Sequence, residues 1–239
     1  MTAPLKTWEV MPHGKLTQIE DNILTVVGDI KIPVGTLHRR MTVVRLHDGR
    51  LVIFSAIALD ENEMKRIEAF GTPAFLIVPS DFHRLDAKIW KDRYPGMTVI
   101  APEGAKDKVE KVVHVDATHI EFDDPEVTFI TLPGTRGHEA ALEIDGASGT
   151  TLVVNDIIGN IRDASGFGGW LLRVMGFAGD EPHIPVPIKV AVVNDKAALA
   201  AQLRGWANLP LLKRILVSHG ETIEQGASAA LNALADTLS

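Results

Sequence analysis

Apolar and polar positions along the first quarter of the chain follow the pattern of β-strands. Three runs, residues 23–32, 41–46 and 51–55, are rich in β-branched and other apolar residues. Asp48 and Gly49 separate the last two runs, and Asp-Gly between such runs is typical of a hairpin turn. The pattern therefore predicts an antiparallel sheet in this part of the chain.

A short helix is predicted next, because Asp60 followed three residues later by Glu63 forms a capping box, and Gly71 ends the helical apolar spacing. Strands and helices then alternate in the manner of a β-α-β unit. The elements of that unit are the strand 74–79, the helix 84–92 and the strand 97–101.

The second half of the chain is predicted to be mostly sheet, closed by helices. The predicted strands are 111–115, 119–122, 127–132, 140–144, 151–155 and 214–218, and the predicted helices are 196–206 and 222–238.

One domain is predicted for residues 1–239. Residues 1–20 are predicted to be an extension or an edge strand. The glycine- and proline-rich segment 157–188 is interpreted as a lid-like insertion. Its apolar part, residues 165–178, is also a candidate contact in a homodimer.

Charge and composition exclude several classes of function. The 239-residue chain has 24 basic and 31 acidic side chains, a net charge of −7, so it offers no basic field for nucleic acid. The longest apolar runs, 51–59 and 74–79, are far shorter than the roughly 18 residues of a membrane span. The residues after Met1 lack the apolar run of a secretory signal, so a cytoplasmic protein is expected.

The sequence contains no cysteine, so any metal ion must be held by His, Asp and Glu. Such residues follow four predicted strands directly. Asp81 and His83 follow the strand 74–79, His138 follows 127–132, Asp156 follows 151–155 and His219 follows 214–218. Because ligands of layered α/β folds bind where the loops beyond strand ends converge, these side chains are candidates for one zinc, iron or manganese site. Taken singly, Asp81 and Asp156 are also explained as helix or turn caps, and His219 as a hydrogen-bonded loop histidine.

The order of these strands and polar clusters resembles the metallo-β-lactamase superfamily, in an uncharacterised branch of it. The matching blocks are 51–59, 74–83, 94–102, 150–156 and 216–220. The resemblance implies an α/β (α+β) fold built as a four-layer αββα sandwich, with a metal site at one edge.

The resemblance also shows a degenerate metal motif. The superfamily has His-x-His-x-Asp-His after the strand that corresponds to 74–79, whereas this chain has only His83, with Asp81 or Asp86, in that segment. The next superfamily ligand is a histidine close behind Pro-Gly, for which His138 is a displaced substitute.

The last two superfamily ligands are retained in their expected context. Asp156 matches the bridging carboxylate and His219 matches the final histidine. The resemblance thus implies at most one divalent ion, held by His83, Asp156 and His219 with Asp81 and His138 as weaker additions.

Two functions remain open. In the first, the ion activates water for hydrolysis of a small ester, thioester, lactone or phosphoester, with Asp81 and His83 as catalytic residues. In the second, no metal binds, Arg84 or Arg136 pairs with Asp156, and the protein is a non-catalytic binder of a small molecule.

Overall fold

The computed structural model describes residues 3–32, 35–162, 169, 173–174 and 176–239. These residues form two compact units. The first contains the described residues up to Pro125 except Gly35, and the second contains Gly35 and Glu126–Ser239. Each unit has its own sheet and its own apolar core.

The first unit has a six-stranded sheet with strands in the order β1-β2-β3-β4-β5-β6. The β1–β2 and β3–β4 pairs are antiparallel, whereas the β4–β5 and β5–β6 pairs are parallel. The elements of this unit are β1 (Thr17–Glu20), β2 (Ile23–Ile32), β3 (Gly35–Arg45), β4 (Arg50–Phe54), α1 (Glu61–Phe70), β5 (Thr72–Ile77), α2 (Ala87–Arg93), β6 (Thr98–Ile100) and α3 (Lys106–Val109).

The predicted hairpin between β3 and β4 is confirmed. Gly49 has a φ of 84°, a left-handed conformation that glycine adopts without steric cost. The N–H of Leu46 donates to the carbonyl of Arg50 at 2.9 Å, and the carboxylate of Asp48 accepts the N–H of Arg50 at 2.9 Å. The turn residues thus determine where the two strands pair.

Helix α1 begins at the predicted cap, but its capping box is not reciprocal. The side chain of Asp60 accepts the N–H groups of Asn62 and Glu63. The carboxylate of Glu63 accepts the N–H of Leu16 at 2.8 Å instead of returning to Asp60. The N–H of Asp60 donates to Nε2 of His13 at 3.0 Å. The start of α1 therefore fixes the N-terminal segment to the rest of the first unit.

The strands predicted at 111–115 and 119–122 are wrong. The chain forms the short helix Lys106–Val109 and then an irregular segment with isolated bridges. The carboxylate of Glu110 accepts the N–H of Val115 at 2.7 Å. Because a side chain satisfies this backbone group, the apolar residues here need no ladder partner.

The second unit has a four-stranded sheet in the order β10-β9-β8-β7. The pairs β7–β8 and β8–β9 are antiparallel, and β9–β10 is parallel. The elements of this unit are β7 (Val127–Thr131), β8 (Ala140–Gly146), β9 (Gly149–Asn160), α4 (Val186–Ala191), α5 (Lys196–Ala207), β10 (Leu212–Gly220) and α6 (Ala227–Asp236).

The segment predicted as a lid-like insertion, 157–188, is described only in part. Strand β9 continues to Asn160 and helix α4 begins at Val186, so both ends of the segment belong to regular elements. Most of the predicted dimer contact, residues 165–178, lies outside the described residues.

Each core is built around a buried tryptophan. Trp90 is fully buried among the residues of the first core, and Trp206 is 2% exposed in the second. Burying one such side chain contributes about 1.5–3 kcal/mol to the unit that contains it. None of the described helices combines the length and the apolarity that crossing a membrane requires.

Candidate metal centre

His83 lies in the loop between β5 and α2 in the first unit, and Ser55 is its neighbour. The Oγ of Ser55 is 2.7 Å from Nδ1 of His83. Ser55 directly follows β4, which pairs with β5, so the two residues follow adjacent parallel strands. The ring of His83 is thereby hydrogen-bonded through Nδ1, and Nε2 is the nitrogen that it can offer to a metal ion.

The loop that carries His83 is anchored by a buried carboxylate at its end. Asp86 is 1% exposed and accepts the N–H of Ala58 at 2.9 Å. The guanidinium of Arg39, on β3, is ion-paired with the other oxygen of Asp86. Because both oxygens of Asp86 are engaged, the loop is fixed to two separate parts of the first unit.

Asp81, the predicted catalytic carboxylate, is held by a cation. Asp81 is 5% exposed, and its carboxylate is ion-paired with Lys108 on α3. The backbone carbonyl of Lys108 accepts a hydrogen bond from the guanidinium of Arg84 at 2.6 Å. Arg84 therefore binds this turn of the first unit.

Asp156 and His219 are brought together in the second unit. Oδ1 of Asp156 and Nε2 of His219 are 3.1 Å apart, and the two side chains are only 9% and 16% exposed. The register of β10 against β9 shifts here, since residues 155–158 of β9 lie against Ser218 alone. Such a bulge turns side chains away from the regular alternation, and this one lets Asp156 face His219 on the neighbouring strand.

A buried polar network lies beside this pair. The amide nitrogen of Asn155 donates to the carboxylate of Glu139 at 3.2 Å, and the hydroxyl of Ser218 donates to the amide oxygen of Asn155 at 3.0 Å. Glu139 and Asn155 have no exposed surface, and Ser218 is 4% exposed. Since Asn155 precedes Asp156 and Ser218 precedes His219, the network fixes the backbone at both ligand positions.

His138 lies in the turn before β8. Its N–H donates to the carbonyl of Thr135 at 2.9 Å, which closes a turn containing Arg136 and Gly137, both with positive φ. Among the described residues, no set of three closely placed metal-ligand atoms includes His138. The N–H of Arg136 donates to the side chain of Asn194 at 2.9 Å.

Sequence reasoning missed two residues of this region, Ser55 and Arg39. Ser55 follows a buried apolar strand directly, so the strand-end rule that selected the other candidates would also have selected it. Arg39 stands within a strand, and nothing in the local pattern indicates that its guanidinium turns inward to Asp86.

Comparisons with known proteins identify the fold. No protein-family model matches the chain, and a search of curated proteins found no match. Three solved structures match over both units. The metallo-β-lactamase FIM-1 from Pseudomonas aeruginosa, in a mono-zinc form, matches with a TM-score of 0.63 and 10% identity over 95% of this chain and 96% of that one. The metallo-β-lactamase DIM-1, exposed to ceftazidime, matches with a TM-score of 0.65 and 11% identity over 97% of this chain and 100% of that one. A metallo-β-lactamase from Hirschia baltica matches with a TM-score of 0.63 and 9% identity over 94% of this chain and 98% of that one.

The chain has the metallo-β-lactamase fold, and the fold class predicted from the sequence is confirmed. Identities near 10% establish the fold and not the activity. Function must therefore be argued from the site itself.

Proposed function

We propose that the protein is a metal-dependent hydrolase with a single divalent ion held by His83, Asp156 and His219. The observation that carries the proposal is the buried pair of Asp156 and His219, whose ligand atoms are 3.1 Å apart. Two imidazoles and one carboxylate form a donor set that suits zinc, iron or manganese. Three protein ligands leave a coordination position open for water, as catalytic sites require.

The donor atoms present fit such an ion. The Nδ1 of His83 is engaged by Ser55, so Nε2 is the nitrogen offered for binding. Asp156 and His219 offer an oxygen and a nitrogen from adjacent strands that a buried network holds in place. FIM-1 was solved in a mono-zinc form, so a single ion is compatible with this fold.

When bound, a divalent ion supplies Lewis acidity and lowers the pKa of a water ligand to about 7. The hydrogen bonds of Asn155 and Ser218 hold the backbone next to Asp156 and His219. Asp81 is the proposed proton acceptor, and it takes that role only when its ion pair with Lys108 opens. The proposed substrates are small esters, thioesters, lactones or phosphoesters.

The test is elemental analysis of protein purified without chelator, together with hydrolysis of a panel of generic esters. We expect the parent protein to retain a stoichiometric ion and His219→Ala to lose it, with hydrolysis lost in parallel. His114→Ala is the matched control, because that imidazole is 73% exposed and bound to Glu110. Sub-stoichiometric metal in both the parent and His219→Ala, with no hydrolysis, would refute the proposal.

The second candidate is a metal-free protein that binds a small molecule. The ion pair of Asp81 with Lys108 favours it, because it occupies a carboxylate that a richer metal site would use. A folded parent protein that takes up no metal supports this candidate. The predicted homodimer contact at 165–178 stays a prediction, which a concentration-dependent mass would test.

A further inference from the structure

The contact between Ser55 and His83 has a role that goes beyond packing. We propose that Ser55 is a positioning residue for His83: its hydroxyl accepts the Nδ1–H of the imidazole, so that Nε2 carries the lone pair that binds the ion. The inference rests on the proposed function for the ion, but the tautomer of His83 is a property of the metal-free protein.

The first observation is the geometry of the contact. Oγ of Ser55 lies 2.7 Å from Nδ1 of His83, within ordinary hydrogen-bond distance. Ser55 is 3% exposed, so water does not compete freely for its hydroxyl. A neutral imidazole has one N–H, and the hydrogen bond at one ring nitrogen selects which nitrogen carries it.

The second observation is the backbone conformation of Ser55. Its φ is 57°, and only one other described non-glycine residue, Arg136, has a positive φ. This left-handed region is costly for a residue with a Cβ, and glycine occupies it freely. The N–H of Ser55 still donates to the carbonyl of Ile77 at 3.1 Å, so the backbone there is held in the sheet. Glycine would relieve this strain but would lack the hydroxyl. Serine at this position therefore combines an unfavourable backbone conformation with a specific side-chain contact.

The third observation is the anchoring of the loop around His83. Asp86, three residues later, is bound by the N–H of Ala58 and by Arg39, and the N–H of His83 donates to the carbonyl of Ser80 at 3.4 Å. The loop therefore presents the imidazole at a fixed place, and the remaining freedom concerns the ring and its proton. Ser55 removes that freedom, which is how a partner behind a ligating histidine raises its affinity for metal.

The experiment compares Ser55→Gly and Ser55→Ala with the parent. Nitrogen-15 NMR of the imidazoles in metal-free protein, at alkaline pH, reports the tautomer of His83. We expect the parent to hold the proton on Nδ1, and both variants to show a mixture of tautomers. Binding of zinc to both variants should weaken about 10–100-fold, the usual effect of removing such a partner.

Thermal unfolding measures the structural contribution of Ser55, whereas the tautomer and the zinc affinity measure its positioning role. We expect Ser55→Gly to unfold at a higher temperature than Ser55→Ala, because glycine relieves the strained φ while both variants lose the hydroxyl. A purely structural role would instead change stability and leave the tautomer and the zinc affinity as in the parent. Arg136→Gly is the matched control, since it relieves strain at the other positive φ without touching His83.

The outcomes distinguish this inference from the proposed function. A proton on Nε2 of His83 in the parent, or an unchanged tautomer in both variants, overturns the role of Ser55. Absence of zinc binding by the parent overturns the proposed metal site, while a tautomer that changes with Ser55 still supports the positioning role.

Discussion

Replacement of Asn155 by leucine tests the buried network beside Asp156 and His219. Asn155 links Glu139, before β8, to Ser218 on β10 through both ends of its amide. Leucine has a similar size, so the substitution removes the hydrogen bonds without opening a large cavity. We expect both a loss of stability and weaker metal binding from this single change.

The magnitude follows from what the substitution leaves behind. The carboxylate of Glu139 loses a donor at 3.2 Å and has no exposed surface, so water cannot replace it. The hydroxyl of Ser218 loses its acceptor at 3.0 Å and keeps only the longer contact to the carbonyl of Val154 at 3.4 Å. A lost bond to a charged group costs about 1.5–3 kcal/mol and a lost neutral hydrogen bond about 0.5–1.5 kcal/mol. The expected decrease in the free energy of unfolding is therefore about 2–4.5 kcal/mol.

Urea denaturation of Asn155→Leu and the parent, followed by far-ultraviolet circular dichroism, measures this difference. Ser218→Ala is the matched control, because it removes only the neutral bond and should cost about 1 kcal/mol. Zinc affinity measured under native conditions should fall in Asn155→Leu more than in Ser218→Ala. Equal stability and equal zinc affinity in Asn155→Leu and the parent would show that the network does not support the site.

Three further predictions concern single contacts. Burial raises the pKa of Glu143, although the hydrogen bond from the indole of Trp206 at 3.0 Å lowers it. The stability that this carboxyl contributes is therefore present at acid pH and is lost as the pH rises through the raised pKa. Glu143→Gln should accordingly be more stable than the parent at neutral pH by a few tenths of a kcal/mol, given the partial exposure, and equal to it at low pH, as thermal unfolding across pH will show. Asp60→Ala should lose about 1 kcal/mol because α1 loses its cap, whereas Asp60→Asn should retain most of it. Asp86→Leu should lose about 3–5 kcal/mol because Arg39 stays buried without its carboxylate. In a double-mutant cycle with Arg39→Met, the double variant should recover most of that loss, and additive losses would contradict the pairing.

Local sequence signals account for the parts of the fold that were predicted correctly. The Asp48-Gly49 turn and the cap at Asp60 act within a few residues, so their chemistry is visible in the sequence. The segment 111–122 has apolar residues but makes no strand, because its backbone groups are satisfied individually, as by Glu110. The hydrophobic pattern alone does not distinguish an apolar strand from an irregular segment with apolar residues.

The candidate site shows the same division. The strand-end rule selected Asp156 and His219, and the structure places them side by side, although β9 continues past Asp156 to Asn160. Ser55 fits the same strand-end rule, but its contact with His83 joins distant segments of the chain. The contacts of Asn155 lie at a bulge in β9, which leaves no local pattern in the sequence. The types of ligand residue could therefore be predicted, whereas the hydrogen bonds around them could not.

Anomalous X-ray diffraction at the zinc absorption edge, from crystals grown with zinc, is the sharpest test of the proposed metal site. We predict one strong peak at bonding distance from Nε2 of His83, the carboxylate of Asp156 and Nε2 of His219. A zinc-saturated crystal with no peak at these residues, or with its peak on other side chains, would contradict the proposed site.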